Sequence, residues 1–196
     1  RFAALRRPRC GGRRWKCEAC GAWMYEASLL VGDVSQLFEA LRAETLVRDA
    51  AAVLAAAGVA HEDTLWIETQ RPWHVCRRRP CTPAVSWKGW ELLAAVRCGS
   101  ALSYAKMGDA TFELSGVPTG GRFSTSLAEI AMTADEAPTF EPYLDTVGGA
   151  RFVDDSLFAS FVWCATCVQS LASAGRYAYN FQVASADAPV RWLDMH

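Results

Sequence analysis

Apolar residues come in short blocks rather than one long stripe, and the blocks change period along the chain. Ser28-Leu-Leu-Val-Gly-Asp33 is apolar up to its last residue, which predicts a buried strand ending at an acid. Glu44 to Ala57 is rich in strong helix formers; Val47, Ala51, Leu54 and Ala55 form a helical stripe, and Gly58 is the stop. Trp87 to Val96 reads as a second amphipathic helix. Ala101 to Leu114 reads as two short strands around the Gly108-Asp109 turn. Ser124 caps a helix running to about Glu136, with Leu127, Ile130, Ala131 and Ala134 on one face. A hairpin with two acids at its tip spans Arg151 to Phe161, a short helix covers Thr166 to Ala174, and residues 176–194 hold two final strand candidates. Between these blocks, residues 61–83, with Pro72, Pro80 and Pro83, predict a loop or insertion. Residues 116–121 form a glycine-rich loop, and 137–149 a Pro/Gly connection. No internal repeat is visible.

Composition narrows the class. The chain has 196 residues, 52% hydrophobic and 21% charged, which suits one globular domain with at most a small appendage and excludes disorder. A formal net charge of -1 gives no global basic field. The cations are uneven, however: Arg1, Arg6, Arg7, Arg9, Arg13, Arg14 and Lys16 all precede the first acid, Glu18, and such an end either meets phosphates or is simply solvated. With no apolar signal core, no long apolar span and an initial Arg, the sequence reads as part of a longer intracellular chain, with the nucleus as one location and no membrane partner. Four of the eight cysteines form two C-x-x-C pairs, Cys17/Cys20 and Cys164/Cys167; in a reducing compartment that spacing points to metal or redox chemistry.

Phosphoryl transfer by two divalent ions needs carboxylates that converge from separate segments. Asp33 closes one strand, and Asp154 and Asp155 sit between two others. Neighbours on a regular strand point to opposite faces, so Asp154 and Asp155 reach one site only from a tight turn. An Asp-Asp pair alone is as well explained by a solvated turn.

Three segments in order resemble the palm motifs of reverse transcriptases: Asp33-Val-Ser-Gln-Leu-Phe38, Gly116-Val-Pro-Thr-Gly-Gly-Arg-Phe-Ser124 and Phe152-Val-Asp-Asp155. Asn180-Phe181 and Trp192-Leu-Asp194 look like the weaker closing motifs, so the resemblance covers about residues 29–194. It implies an α+β fold, a right-hand polymerase palm whose antiparallel sheet, with strands near 28–33, 151–153, 156–162 and 176–182, is backed by the helices near 44–57 and 124–136. Residues 1–28 would be a basic, Cys-containing segment, either partial fingers or a zinc-binding appendage. Residues 29–196 would be the palm with its insertion at 61–83, the fingers incomplete and the thumb absent, so that the isolated chain would not polymerise. Arg7-Pro8 resembles the family's phosphate-contacting pair.

Carried over, the resemblance implies that Asp33 and Asp154 bind two Mg²⁺ ions, with the Val34 carbonyl assisting and Asp155 supporting. Phe38 would lie under the sugar of the incoming dNTP and exclude a 2′-hydroxyl; a core aromatic is the other reading. Pro118, Gly120, Gly121 and Ser124 would belong to a loop and helix start that pack against the nascent base pair and an RNA or DNA template with its primer. Thr119 stands where the family often has Gln, and Phe152 where Tyr is commoner, each losing a polar handle. The long stretch between Asp33 and Gly116 resembles Penelope-type and telomerase-type enzymes more than retroviral ones.

Antiparallel neighbouring strands that share a catalytic end also share the opposite end, which would bring Cys17, Cys20, Cys164 and Cys167 near one another as a structural Zn²⁺ site; two unrelated pairs is the other reading. Two competing identities remain: a degenerate reverse-transcriptase-like domain that binds nucleic acid without catalysis, and a zinc-ribbon interaction module. Cys10, Cys76, Cys81 and Cys98 are taken as packing or free thiols, His74 as loop surface, and Trp66, Trp73, Trp87 and Trp90 as core or insertion anchors.

Overall fold

The computed structural model describes residue 5 and residues 14–70, 74–101, 104–121 and 123–185. The cations before Arg14, the Arg7-Pro8 pair, Cys10, Trp73, the last strand candidate and Trp192-Leu-Asp194 lie outside the described residues. In chain order the elements are β1 (Trp15–Lys16), β2 (Trp23–Met24), β3 (Ser28–Val34), α1 (Leu37–Ala40), α2 (Ala43–Ala56), β4 (Thr64–Glu68), β5 (Val75–Cys76), β6 (Ala84–Lys88), α3 (Gly89–Ala101), β7 (Tyr104–Met107), β8 (Ala110–Glu113), α4 (Ser124–Phe140), β9 (Gly148–Phe152), β10 (Asp155–Ser160), α5 (Ala165–Ala172) and β11 (Tyr179–Val183). They divide into two compact units, one made of the chain up to Leu37 and from Asp135 onward, the other of Phe38–Ala134. The described residues 14–28 of the N-terminal Cys-containing segment thus join the first unit.

That first unit is built on a four-stranded antiparallel sheet in the order β11-β3-β10-β9. Burial along β3 alternates, with Ser28, Leu30, Gly32 and Val34 inward, and β10 answers with Ser156, Phe158 and Ser160 inward. This is the period-2 signature of a sheet with one covered face. α5 covers it: Val168 and Ala172, one turn apart, pack with Leu30, Val147 and Phe158, and Phe140 stacks on Phe158 at 5.3 Å between ring centroids. Burying each large side chain of this cluster contributes about 1.5–3 kcal/mol. Gly32 lets aromatics cross the strand, because a Cβ there would meet Tyr179 at 2.9 Å and Phe181 at 3.0 Å. The α+β arrangement of antiparallel sheets backed by helices is therefore the one expected.

Several local expectations are corrected. Residues 137–149 are not simply a connection: α4 continues through Pro138 to Phe140, and β9 opens at Gly148. A proline this near a helix end removes only one backbone bond, and the last turn places Phe140 on Phe158. The sequence-based strand at 176–182 starts only at Tyr179, because the Asp135 carboxylate holds Arg176 through its backbone N–H and Nε, each at 3.0 Å, and turns the chain there.

In the second unit α2 packs on α3, and Val53, Leu92, Val96, Leu127 and Ile130 line an apolar hollow of about 250 Å³. Residues 61–83 are not a structureless insertion. β4 and β5 lie within them, and β4 pairs with both β5 and β6 in an antiparallel sheet of order β5-β4-β6. Trp87 consequently sits opposite Leu65 in β6 rather than in a helix, and α3 starts at Gly89, with the Glu91 carboxylate accepting the Lys88 N–H at 2.7 Å. Trp87 and Trp90 are 37% and 41% exposed, so neither is a buried anchor. β7 and β8 form the expected hairpin, with Gly108 at φ +61°.

Candidate functional site

The register of the first unit sets one row of side chains across all four strands. Asp155 on β10 is paired with Asp33 on β3 and with Phe152 on β9, and Asp33 is paired with Asn180 on β11. Directly opposed residues of antiparallel strands project from the same face, so Phe152, Asp155, Asp33 and Asn180 line up on the face opposite Leu30 and Phe158. Asp154 lies in the two-residue turn between β9 and β10, and its carbonyl accepts the Val34 N–H at 3.1 Å. That bond ties the turn to the end of β3. The Asn180 amide donates to Ser35 Oγ at 2.7 Å, closing the β11 side of the row.

The aspartates repel one another. Burial first, then the charges of Asp154 and Asp33, raise the Asp155 carboxyl above its ordinary value. Two sets of side chains among the described residues bring their donor atoms within 4.8 Å of one another, the four cysteines and Glu68-His74-Cys76; the three aspartates are not drawn together to that degree. Hard carboxylate oxygens at one end of the sheet suit Mg²⁺, which keeps part of its water shell and takes few protein carboxylates.

The turn itself is strained. Val153 has φ 59°, a region rare for a β-branched residue and costing about 1–3 kcal/mol. Positive φ at the first central residue alone is the type II′ pattern, where glycine is usual. A network holds it: Arg151 donates from Nη1 to the Val153 carbonyl at 3.3 Å and from Nε to Glu136 Oε2 at 2.9 Å, and the Tyr179 hydroxyl donates to Glu136 Oε1 at 2.6 Å. Burial, then the Glu136 charge, push the Tyr179 phenol well above its usual range, which keeps it a donor. Sequence reasoning missed Arg151, Glu136 and Tyr179. The only local hint was an Arg just before an acidic hairpin tip.

The remaining candidates sit in the second unit and meet there. The Val117 N–H donates to the Phe38 carbonyl at 2.9 Å, so the start of the glycine loop is fastened to the Phe38 backbone. Gly116 has φ +87°, and a Cβ on it would run into the Phe38 carbonyl and approach Glu39 Cα at 2.8 Å, so no other residue fits. Gly121 donates to the Pro118 carbonyl at 3.2 Å, and Gly120 takes φ +81°. Ser124 is buried at 2% exposure, and its hydroxyl donates backward to the Gly121 carbonyl. It is therefore not the expected cap: Phe123 supplies the carbonyl that the Leu127 N–H meets at 2.9 Å, and Ser124 braces the loop.

At the other end of the β3–β10 ladder the two C-x-x-C pairs converge. Cys17 Sγ lies 3.8 Å from Cys167 Sγ, and Cys20 Sγ 3.7 Å from Cys164 Sγ. Burial works to raise the Cys17 thiol, but the backbone N–H groups of Cys164, Cys20 and Ala19 outweigh it and lower its pKa to about 7; burial raises Cys164 and Cys167. The third set, Glu68-His74-Cys76, has a simpler reading. Glu68 is buried, and His74, otherwise on the surface as expected, pairs with its carboxylate at 2.7 Å.

No family model and no curated protein matches the sequence. Among solved structures the chain is similar to telomerase from Candida albicans with the TWJ fragment of telomeric RNA, at TM-score 0.59 and 14% identity over 84% of this chain and 28% of that one. Telomerase from Candida tropicalis with the same kind of RNA fragment is similar at TM-score 0.54 and 13% identity, over 83% and 26%. The apo form from Candida tropicalis is similar at TM-score 0.53 and 12% identity, over 76% and 25%. The chain thus spans about a quarter of the length of these telomerases, and at such identity the likeness is one of fold: this protein has a telomerase-like α+β architecture.

Proposed function

We propose that this chain is the palm of an RNA-directed DNA polymerase, adding deoxynucleotides to a primer on an RNA or DNA template. The observation that carries the reading is the pairing of Asp155 with Asp33 across the β3–β10 ladder, with Asp154 in the adjoining turn bonded to the backbone of Val34. Asp33, Asp154 and Asp155 would hold two Mg²⁺ ions, whose chemistry is to neutralise charge on the transferring phosphate and clamp the attacking and leaving oxygens.

The protein's own part is positioning. Asp33 and Asp154 present carboxylates from two separate strand ends, and Asp155 adds the charge that makes the site select cations. Glu136, Arg151 and Tyr179 hold the strained turn so that Asp154 does not swing away. In the second unit, the fastened loop 116–121 offers close-packing backbone to a base pair, with Pro118, Gly120, Gly121 and Ser124 fixing its shape. Phe38, on the same fastening, would discriminate sugars by bulk.

The fold of the telomerases supports a template-bound polymerase over an isolated zinc-ribbon module. The decisive experiment is primer extension by the purified native protein with primer–template, magnesium and dNTPs. Extension supports the reading. Tight primer–template binding without extension would instead favour a non-catalytic, nucleic-acid-binding domain. In the active protein, Phe38→Ala should raise ribonucleotide incorporation, read as the ratio of rNTP to dNTP efficiency; an unchanged ratio removes Phe38 from the site.

A further inference from the structure

The four cysteines sit at the base of the sheet, away from the aspartates, and carry an inference independent of the polymerase reading. Each pair comes from a turn suited to presenting two sulfurs. In the first, the Gly21 N–H returns to the Cys17 carbonyl at 2.9 Å and the Cys17 N–H reaches the Ala22 carbonyl at 2.7 Å, between the paired strands β1 and β2; Gly21 takes φ +76° to allow it. In the second, Cys164 precedes α5 in extended backbone, its carbonyl accepting the Val168 N–H at 3.1 Å, and Cys167 lies in the first turn of that helix.

The pairs meet crosswise, Cys17 with Cys167 and Cys20 with Cys164, at 3.8 and 3.7 Å, and all four sulfurs lie within 4.8 Å of one another. A metal–sulfur bond of about 2.3 Å places the sulfurs of a regular tetrahedron about 3.8 Å apart. The observed edges match that figure and are far from the roughly 2.05 Å of a disulfide. The Cys164 N–H also points at Cys17 Sγ at 3.2 Å, the arrangement that supports a coordinating thiolate from outside.

We propose that Cys17, Cys20, Cys164 and Cys167 form a closed tetrahedral site for one Zn²⁺ ion, which clasps the β1–β2 hairpin to the β10–α5 corner. Four soft thiolates in a tetrahedron select zinc or iron. A single centre is required, because the thiolates of a multi-iron cluster are spread over different irons and do not all approach within 4.8 Å. Binding sends the thiol protons to solvent and transfers no electrons. The clasp has neighbours that extend it: the Glu18 N–H donates to the Val162 carbonyl at 2.9 Å, and Ser28 Oγ donates to the Trp163 carbonyl at 2.8 Å, where β3 begins. The ion thus fixes the start of β3 against the end of β10, the pairing whose far end holds Asp33 opposite Asp155.

The test is metal analysis of the whole chain purified under reducing conditions, with folding checked by circular dichroism. About one zinc per chain is expected. Cobalt-substituted protein should show the intense visible bands of tetrahedral cobalt with thiolate charge transfer, and Cys20→Ser should weaken zinc binding by more than the roughly 10–100-fold that loss of a supporting group costs. Cys98→Ser, which alters a thiol outside the cluster, should keep the full zinc content. Should Cys20→Ser fail to fold, the cobalt spectrum of the unaltered chain decides. Folded protein without zinc, iron in its place, an octahedral cobalt spectrum, or metal-free folded protein with Cys17–Cys167 and Cys20–Cys164 disulfides would each overturn the proposal.

Discussion

The two ends of the β3–β10 ladder make a natural comparison. At one end burial and the charges of Asp154 and Asp33 raise the cost of ionising Asp155; at the other, four thiols lie in near contact beside a buried core. Charged oxygen donors repel when no cation is present and must be held in place by backbone register and by the Arg151–Glu136–Tyr179 brace. Thiols are neutral enough to approach and soft enough to be closed over. One end thus stores unfavourable energy, including a strained Val153, while the other, in the proposed zinc-bound form, would supply cohesion. The proposed zinc clasp at the base would help the sheet tolerate strain at its tip.

The largest effect that would break this contrast lies at the thiol end. Stripping zinc with a chelator should destabilise the chain by about 5 kcal/mol, the scale of a cross-link closing a loop of over 100 residues. Thermal or urea denaturation reads it, and zinc readdition should restore the midpoint. A chain equally stable without metal would make both ends alike in contributing nothing to cohesion.

Next comes the acidic end. Asp154→Asn should lower nucleotide addition by on the order of 10³-fold, about 4 kcal/mol of transition-state stabilisation, with primer–template affinity and zinc content largely kept. Equal loss of binding and extension would mark Asp154 as structural. Glu136→Gln is smaller: it removes the charge partner of Arg151 yet keeps an acceptor for Tyr179, and should cost about 1–2 kcal/mol of stability. If the brace positions the turn, extension falls while Asp154-independent template binding does not.

The smallest effect sharpens the comparison by its sign. Asp155 has a raised carboxyl pKa in the folded chain, so its contribution to stability is present at low pH and lost as pH rises through that value. At pH 7 the ionised group therefore destabilises. In magnesium-free buffer Asp155→Asn should melt higher than the unaltered chain at pH 7, and the gap should close below about pH 3.9, the ordinary Asp value. An Asn variant that melts lower at pH 7 would contradict the repulsion.

Much of this was readable from the chain alone where the signal is local. The apolar run into Asp33, the helix from about Glu44, the Gly108 hairpin and the Asp154-Asp155 tip depend on period and turn chemistry within a few residues, and each has its counterpart in the structure. Local signals failed where distant partners decided. Prolines and cysteines between residues 61 and 83 spoke for a loop, but β4 found β5 and β6 and took Trp87 into a strand. Ser124 looked like a cap until burial turned its hydroxyl toward Gly121.

By itself, then, the sequence determined the donor types, three carboxylates and four paired thiols, and the strands and turns that carry them. The tertiary structure alone decided which of these groups meet. Asp155 faces Asp33 rather than its chain neighbour because antiparallel register sets partners across the ladder, and a slip of one residue would turn every side chain to the other face. Cys17 meets Cys167, and Cys20 meets Cys164, across separations of 150 and 144 residues, contacts that no local spacing encodes and only the folded first unit brings about.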